Sequence, residues 1–485
     1  MTKPGFFQEA ILQIERLSLK ARGLGHIHLP NQTEPAKIEV ISGLPGDLLL
    51  VELGKRRKGS ISAALKQVLS PAPERIAPRC RHVPLCGGCS LQQMDYAAQL
   101  AWKQEYIEKL FRPLFNLKTA VSGFKSQNDC LHPILPCDEP WMYRNKMEFS
   151  FSQNKSGIHF LGLVIAGSKG RVMDLEECHL VSPWFVKALQ AVRKWWDGSG
   201  LGAYRLDNTG HLRTLTLREG QRTKDKMAIL TVSGNPAFPL SQDDLDSFVQ
   251  ALKSTVPARQ VERLGLFLRV QQASKGLPTQ FYEMLLWGPD HILETLYIGE
   301  EKRALTFQIS PAAFFQPNTR QAEKLFSSAL QMIGSPKEEI FDLYAGTATL
   351  SMVFAPLAKK ITAIELNPYA CFDAESNKAR NKIDNLVIHR GDVGETLARW
   401  QKDREPGSLE LVLLDPPRTG LDNTALTQVL NLSAKEILYI SCNPAVQAQN
   451  LAVLIASGYS LLQLQPVDQF PHTPHIETIA FLKKL

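Results

Sequence analysis

An α/β protein preceded by a small β-barrel is the fold class this sequence predicts, on three observations. Residues 1–69 alternate apolar and polar positions between glycine-marked turns, the pattern of short antiparallel strands. From Lys337 onward, short apolar β-rich runs alternate with helical segments, as in a mostly parallel sheet with helices on both faces. Residues 70–300 mix the two patterns around a cysteine-rich stretch, which predicts a central α+β domain. The expected domains are therefore 1–69, 70–300 and 301–485.

The 485-residue length supports two or three cores. A 44% hydrophobic and 21% charged composition is that of a globular protein in water. No apolar run approaches membrane-spanning length, and MTKPGFFQEA lacks a basic-then-apolar leader, so a cytoplasmic protein is expected. The net charge of +7 suits a polyanionic partner without requiring one. Eight cysteines in a reducing compartment point to metal or catalytic roles.

Each element follows in order. LSLKARGLGHIHLP and AKIEVISGLPGDLLLVELGKRRKGSISAALKQVL supply the barrel strands. This unit has 10 Lys and Arg against 6 Asp and Glu, about +4. Lys55, Arg56, Arg57 and Lys58 sit at a hairpin turn, either a solvated tip or a contact for RNA. PAPERIAPRC is a linker, residues 93–111 form a helix placed to pack on the C-terminal domain, and YRNKMEFSFSQN is a strand. A 3.6-residue period resumes near Thr319. Strands EEIFDLY, KITAIEL, NLVIHRG, LELVLLDPP, KEILYIS and TIAFL follow, with helices TLSMVFAPLA, PYACFDAESNKARNK and AVQAQNLAVLIAS.

Open parallel sheets bind ligands at the carboxyl ends of their strands. The first strand here ends in DLYAGTAT, where Gly346 allows close backbone approach. Acids end the next three strands, Glu365, Asp392 and Asp415. Glu365 is placed to accept hydrogen bonds from ribose hydroxyls. A G-x-G-x-x-G phosphate fingerprint is absent, which favours S-adenosylmethionine over a dinucleotide. Each acid alone could be a helix cap or surface charge; their succession along one sheet edge argues otherwise.

Cys442 in YISCNP stands at the end of a further strand and before a helix, where the dipole favours thiolate. Residue type alone would make it a small buried hydrophobe. Glu477 precedes the last strand in PHTPHIET. His472 and His475 could ligate a metal, although no third ligand accompanies them. A nucleophilic thiol, a carboxylate and a methyl donor suit one reaction. The thiolate adds to C6 of uracil, C5 takes the methyl group, and a base removes the C5 proton.

On FFQPNTRQAEKL, DLYAGTAT, IELN, DPPRTG, YISCNP and FPHTPHIET, the sequence resembles the RNA uracil-5 methyltransferases over nearly its whole length. The resemblance implies a Rossmann-like class I methyltransferase domain and a methyl donor, S-adenosyl-L-methionine, held by Gln316, Tyr344, Glu365, Asp415 and Thr349. It implies Cys442 as nucleophile and Glu477 as general base. Residues 1–69 resemble a TRAM domain, an OB-like RNA-binding barrel. Two positions depart from the family loop. Ala345 stands where Cys is common, and Ala348 where Gly is common. Alanine at 348 is expected only if φ there is negative.

CRHVPLCGGC brings Cys80, Cys86 and Cys89 together, and Cys178 lies in RVMDLEECHL. Four thiolates suit a [4Fe-4S] cluster or a structural zinc, and spacing leaves both open. The resemblance implies the cluster, with a structural role, because methyl displacement needs no redox centre. Cys130 and Cys137 read as structural. TRAM plus cluster resembles the bacterial 23S rRNA type, with tRNA as the second substrate class and a base flipped from its stack. Tyr143 and Phe149 could help to hold that base but read first as core. Arg144 and Lys146 are candidate phosphate contacts. The competing readings are a degenerate RNA-binding factor, and an amino-group methyltransferase that would not need Cys442.

Overall fold

Alternating apolar residues near the N-terminus fold into a six-stranded sheet in the computed structural model, which describes residues 9–29, 33–57, 59–116, 130–272, 276, 279–400 and 407–485. Its strands are β1 (Glu9–Gln13), β2 (Arg16–Leu17), β3 (Gly23–Ile27), β4 (Ala36–Val40), β5 (Leu48–Arg57) and β6 (Ser60–Ser70), in the order β1-β5-β6-β4-β3-β2. Leu49, Val51 and Leu53 of β5 point inward with Ile38, Val40, Ile61 and Ala63, as a period of two requires. The chain leaving β1 turns onto β3, where the Glu15 amide donates to the Leu24 carbonyl at 2.8 Å. The expected β5–β6 hairpin is present, with Arg57 opposite Ser60. Lys55 and Arg56 are exposed at its tip; Lys58 lies outside the described residues.

The chain divides into two units. One comprises Met1–Trp102, Phe149–His179 and Phe470–Pro474; the other comprises Lys103–Glu148, Leu180–Gln469 and His475–Leu485. In the first, buried Asp47 accepts from Leu44 N, Ala72 N and the Arg75 guanidinium, which fixes the chain leaving the sheet. Helix α1 (Tyr96–Asn116) starts three residues later than expected. Asp95 caps it, its Oδ1 accepting from Ala97 N at 2.9 Å. The helix also runs past Phe111 and through Pro113. Next come β7 (Lys146–Gln153), β8 (His159–Val164) and β9 (Val172–Asp174).

The second unit continues with α2 (Pro183–Ser199), β10 (Leu212–Glu219), β11 (Lys226–Ser233), α3 (Gln242–Lys253), β12 (Leu264–Gln272) and β13 (Gln280–Trp287). Strands β10 to β13 lie side by side, and β13 is the edge. Its Phe281, Tyr282, Met284, Leu285 and Trp287 are 38% to 52% exposed. The hairpin β14 (Ile292–Ile298) and β15 (Arg303–Ile309) leads to α4 (Thr319–Ile333), capped by the Asn318 side chain.

The last sheet is built from β16 (Lys337–Leu343), α5 (Thr349–Phe354), β17 (Ala358–Glu365), α6 (Pro368–Arg380), β18 (Leu386–Arg390), α7 (Val393–Trp400), β19 (Leu411–Leu414), α8 (Asn423–Leu432), β20 (Glu436–Ser441), α9 (Pro444–Ala456), β21 (Tyr459–Val467) and β22 (Glu477–Lys484). The strand order is β18-β17-β16-β19-β20-β22-β21. The first five run parallel, and β22 is antiparallel to both neighbours. Both faces are buried. Ile340, Leu411, Leu413, Leu438 and Ile440 pack one side; Phe341, Leu343, Val412, Leu414 and Ile437 pack the other, with Ile107, Phe111 and Leu114 of α1. That double burial explains the unbroken apolar runs. The order reverses between β16 and β19, and a crevice for a ligand opens at such a switch point. Among the described residues, no helix is long and apolar enough to cross a membrane.

Candidate functional site

The turn from β16 into α5 is built from left-handed residues. Tyr344, Gly346 and Ala348 have φ of 66°, 56° and 56°. The positive value at Ala348 corrects the expectation of negative φ there. The buried turn holds alanine in αL at a cost of about 1–2 kcal/mol. A Cβ on Gly346 would meet nothing within 4 Å, so the turn faces open space. Gly346 N donates to Glu365 Oε2 at 2.8 Å, and Asn367 N to Oε1 at 2.7 Å. The Glu365 carboxylate is thereby fixed at the end of β17, with lone pairs left for a diol. Thr347 and Thr349 hydroxyls share a 3.0 Å hydrogen bond.

Beneath this turn Asp342 is fully buried. Its Oδ2 accepts from Ser351 N and Oγ, while Oδ1 has no protein partner. Burial, then the neighbouring Glu365, pushes its carboxyl up to about 7. An orphaned acceptor under an open glycine turn fits a ligand carrying N–H or O–H donors, and S-adenosylmethionine carries both. Gln316 is buried at the entry to α4. Its Oε1 accepts from Gln469 Nε2 at 3.2 Å, and its carbonyl from Asn145 Nδ2 at 2.9 Å. Asp392 is different in kind. It caps α7 by accepting from Glu395 N, which is the plainer of its two readings.

Cys442 and Glu477 meet through strand register. Ser441 of β20 pairs with Thr478 of β22. Cys442 follows Ser441 and Glu477 precedes Thr478, so both lie just beyond this last pair, close enough for Glu477 to raise the thiol's pKa. Glu477 is 3% exposed. Burial, then nearby Asp415, holds its carboxyl well above the usual range, while Arg418 opposes the rise. Burial pushes the Cys442 thiol up to about 11, aided by Glu477 and Asp415. Burial and Asp342 push Asp415 up to about 7. The structure thus gathers Cys442, Glu477 and Asp415, the acid ending β19.

Arg418 is the residue whose role sequence reasoning missed. Its positive charge lies near the Cys442 thiol and lowers that thiol's pKa. Its carbonyl accepts from Asn443 Nδ2 at 2.9 Å. Gly420 tightens this loop at φ 73°, where a Cβ would lie 2.3 Å from Val446 Cγ1. Position was the available signal, because Arg418 directly follows the Asp-Pro-Pro that ends β19. His475 belongs to the same surroundings. Burial, then Arg418, Lys103 and Arg144, pushes it down to about 4 and keeps it neutral. Tyr143 and Phe149 are buried, which fits core packing and removes them as base-stacking surfaces.

The first unit brings Cys80, Cys86, Cys89 and Cys178 near enough to raise one another's pKa. Burial is the main cause that raises Cys80 to about 11, followed by Glu177, Cys178 and Cys86. Cys89 is raised by burial, then by Cys178, Cys86 and Cys80. Gly88 N donates to Cys86 Sγ at 3.4 Å. This donor set fits a four-thiolate metal site, since a bound cation would relieve the mutual repulsion. His82 Nδ1 lies 3.6 Å from Cys80 Sγ. Ligand atoms of Cys80, His82 and Glu177 all lie within 4.8 Å of one another, so two further donors border the site. Cys130 lies in the second unit's core, and Cys137 contacts Asn318 Nδ2 at 3.6 Å.

A parallel sheet with a glycine turn, an acid fixed at the end of its second strand and an open switch point suits an S-adenosylmethionine-dependent methyltransferase. The sequence model of the tRNA (Uracil-5-)-methyltransferase family matches residues 283–485. An uncharacterized RNA methyltransferase of Protochlamydia amoebophila is 44% identical over 451 residues, 92% of this chain and 99% of that one. One of Chlamydia trachomatis is 35% identical over 410 residues, covering 84% and 98%. The crystal structure of Pyrococcus abyssi tRNA (uracil-54, C5)-methyltransferase with S-adenosyl-L-homocysteine superposes at a TM-score of 0.69. It shares 21% identity and covers 98% of this chain and 100% of that one, a likeness of fold. The chain belongs to this family of RNA methyltransferases.

Proposed function

We propose that this protein methylates C5 of a uridine in RNA through a covalent adduct of Cys442. The observation that carries the reading is that Cys442 and Glu477 flank the last paired residues of β20 and β22, with Glu477 near enough to raise the thiol's pKa. The donor supplies an electrophilic methyl group. Gln316, Tyr344, Thr349, Glu365 and Asp415 would hold it. Cys442 Sγ, its charge stabilised by Arg418, bonds C6 of the ring, and electron density moves to C5, which takes the methyl. Glu477 then removes the C5 proton. The electron pair reforms the C5–C6 double bond and expels the thiolate. A carboxylate pushed upward by burial is the stronger base for that last step.

The thiols of Cys80, Cys86, Cys89 and Cys178 would hold a [4Fe-4S] cluster whose contribution is to tie distant segments of the first unit together. The basic six-stranded sheet serves as the TRAM-like RNA contact. Ribosomal RNA of the large subunit is the proposed substrate, supported by the joint likeness of that sheet and the thiol set to the 23S rRNA type. A tRNA substrate is the second reading, favoured by the description of the matching family.

The test uses RNA carrying 5-fluorouridine, together with donor. Fluorine cannot leave as a proton, so an adduct should accumulate and map to Cys442. Glu477→Gln should trap an adduct on ordinary uridine, and Cys442→Ala should give neither. Methylation that persists in Cys442→Ala would overturn the reading in favour of amino-group transfer. Parallel reactions on 23S rRNA and tRNA transcripts decide the substrate.

A further inference from the structure

Besides the reaction site, the second unit contains an open groove of about 960 Å³. It is lined by the loop before β7, the β10–β11 and β14–β15 turns, and the outer face of α4. Ligand pockets run to about 1,000 Å³, so the groove has room for an extended segment. Its walls combine aromatic and cationic side chains. Trp141 and Tyr297 line it. The Arg222 guanidinium sits 4.9 Å from the centroid of the Tyr297 ring. Arg222 also holds the Glu323 carboxylate, which accepts from Tyr297 N at 3.1 Å. This arrangement fixes one tyrosine face and leaves the ring as a rigid wall.

Charge points the same way. Lys324 is paired with Asp138 and Arg222 with Glu323. Lys224, Lys302 and Arg320 are exposed on the rim, without a carboxylate in ion-pair contact among the described residues. Glu139 and Glu300 also line it, so cations remain in excess. The groove floor adjoins the donor site by direct contact. Asn145 lines the groove and donates to the Gln316 carbonyl, and Asn318 lines it and accepts from Gln469, the side chain bonded to Gln316.

We propose that this groove is a second RNA subsite, holding unpaired nucleotides that flank the uridine presented to Cys442. Bases stack on Trp141 and Tyr297, and phosphates lie along Lys224, Lys302 and Arg320. The inference rests on the RNA reading above. It adds that recognition extends to single-stranded neighbours on the α4 side.

The test measures binding of the full-length protein to single-stranded RNA across a salt series. Each single-strand phosphate contact contributes about 0.7 to the slope of log K against log salt. The triple variant Lys224→Gln, Lys302→Gln, Arg320→Gln should therefore lose about 2 from that slope. Trp141→Ala should weaken binding about tenfold, the loss of one stacked base. Both variants should keep donor affinity and the circular-dichroism spectrum of the parent. Methylation of a minimal oligonucleotide should change little, while the advantage of added flanking nucleotides disappears. An unchanged slope and an unchanged flank advantage would overturn the subsite and mark the groove as a surface for protein. If the parent protein methylates no RNA, the underlying reading fails instead, and the two failures are separable.

Discussion

At the scale of single residues, the site opposes two demands on one sulfur. Burial and two carboxyl groups raise Cys442, and Arg418 draws it back. The thiolate fraction of a group titrating near 11 grows about tenfold per pH unit below that value. Single-turnover methylation should accordingly climb from pH 7 to pH 9 without a plateau. Arg418→Gln should slow that step about 10- to 100-fold, the effect of about one to two pKa units on the thiolate fraction, and leave donor affinity intact. A slope unchanged in the variant and a rate within twofold of the parent would remove Arg418 from the chemistry.

Asp415 permits a stability test at the same scale. It titrates near 7 in the fold and near 3.9 when unfolded. Folding therefore favours the neutral form. The corresponding stability is complete below about pH 4 and is lost as pH rises through 7. Asp415→Asn should melt about 2 °C above the parent at pH 8 without donor, and the gap should close by pH 4. A gap that widens on acidification would mean that Asp415 is stabilised as a carboxylate.

Secondary elements show how much the sequence discloses and where it stops. The β-rich runs of the last sheet were legible because both faces of those strands are buried, so each reads as a solid apolar run. The strand-end positions of Cys442, Glu477 and Glu365 were legible for the same reason. Strand β21 was not legible, because Gln463, Gln465 and Pro466 interrupt its pattern. Helices α7 and α8 were missed because they are only 8 and 10 residues long, too short to display a clear period. The backbone sign at Ala348 was also hidden, since alanine does not announce a left-handed turn. Ala348→Gly should relieve that strain and raise the melting temperature by about 2 °C. A lower melting temperature would show that the turn is held without strain.

For the molecule as a whole, the four thiols test how far the first unit depends on a metal. If the proposed cluster is held by these four thiols, Cys89→Ser removes one of its ligands. The variant should lose iron and sulfide. Proteolysis should then cut first within residues 70–102 and 149–179, before the last sheet opens. If the iron-free variant instead resists protease and methylates like the parent, the cluster does not hold that unit together. The sequence marked the four thiols as a candidate ligand group from their spacing and from the family resemblance at Cys178. His82 and Glu177 beside it were not marked, because their approach depends on tertiary packing that no local pattern encodes.

The bare rim formed by Gln280–Trp287 bears on how the protein behaves in bulk. Natural sheets blunt such borders with lysine, proline or a covering loop. Among the described residues no strand pairs with the outer side of β13, whose only charge is Glu283, already committed to Arg269. Every copy therefore offers extended polypeptide a place to add itself. Crowding, or the presence of nascent chains, turns that border into the first point at which separate molecules adhere.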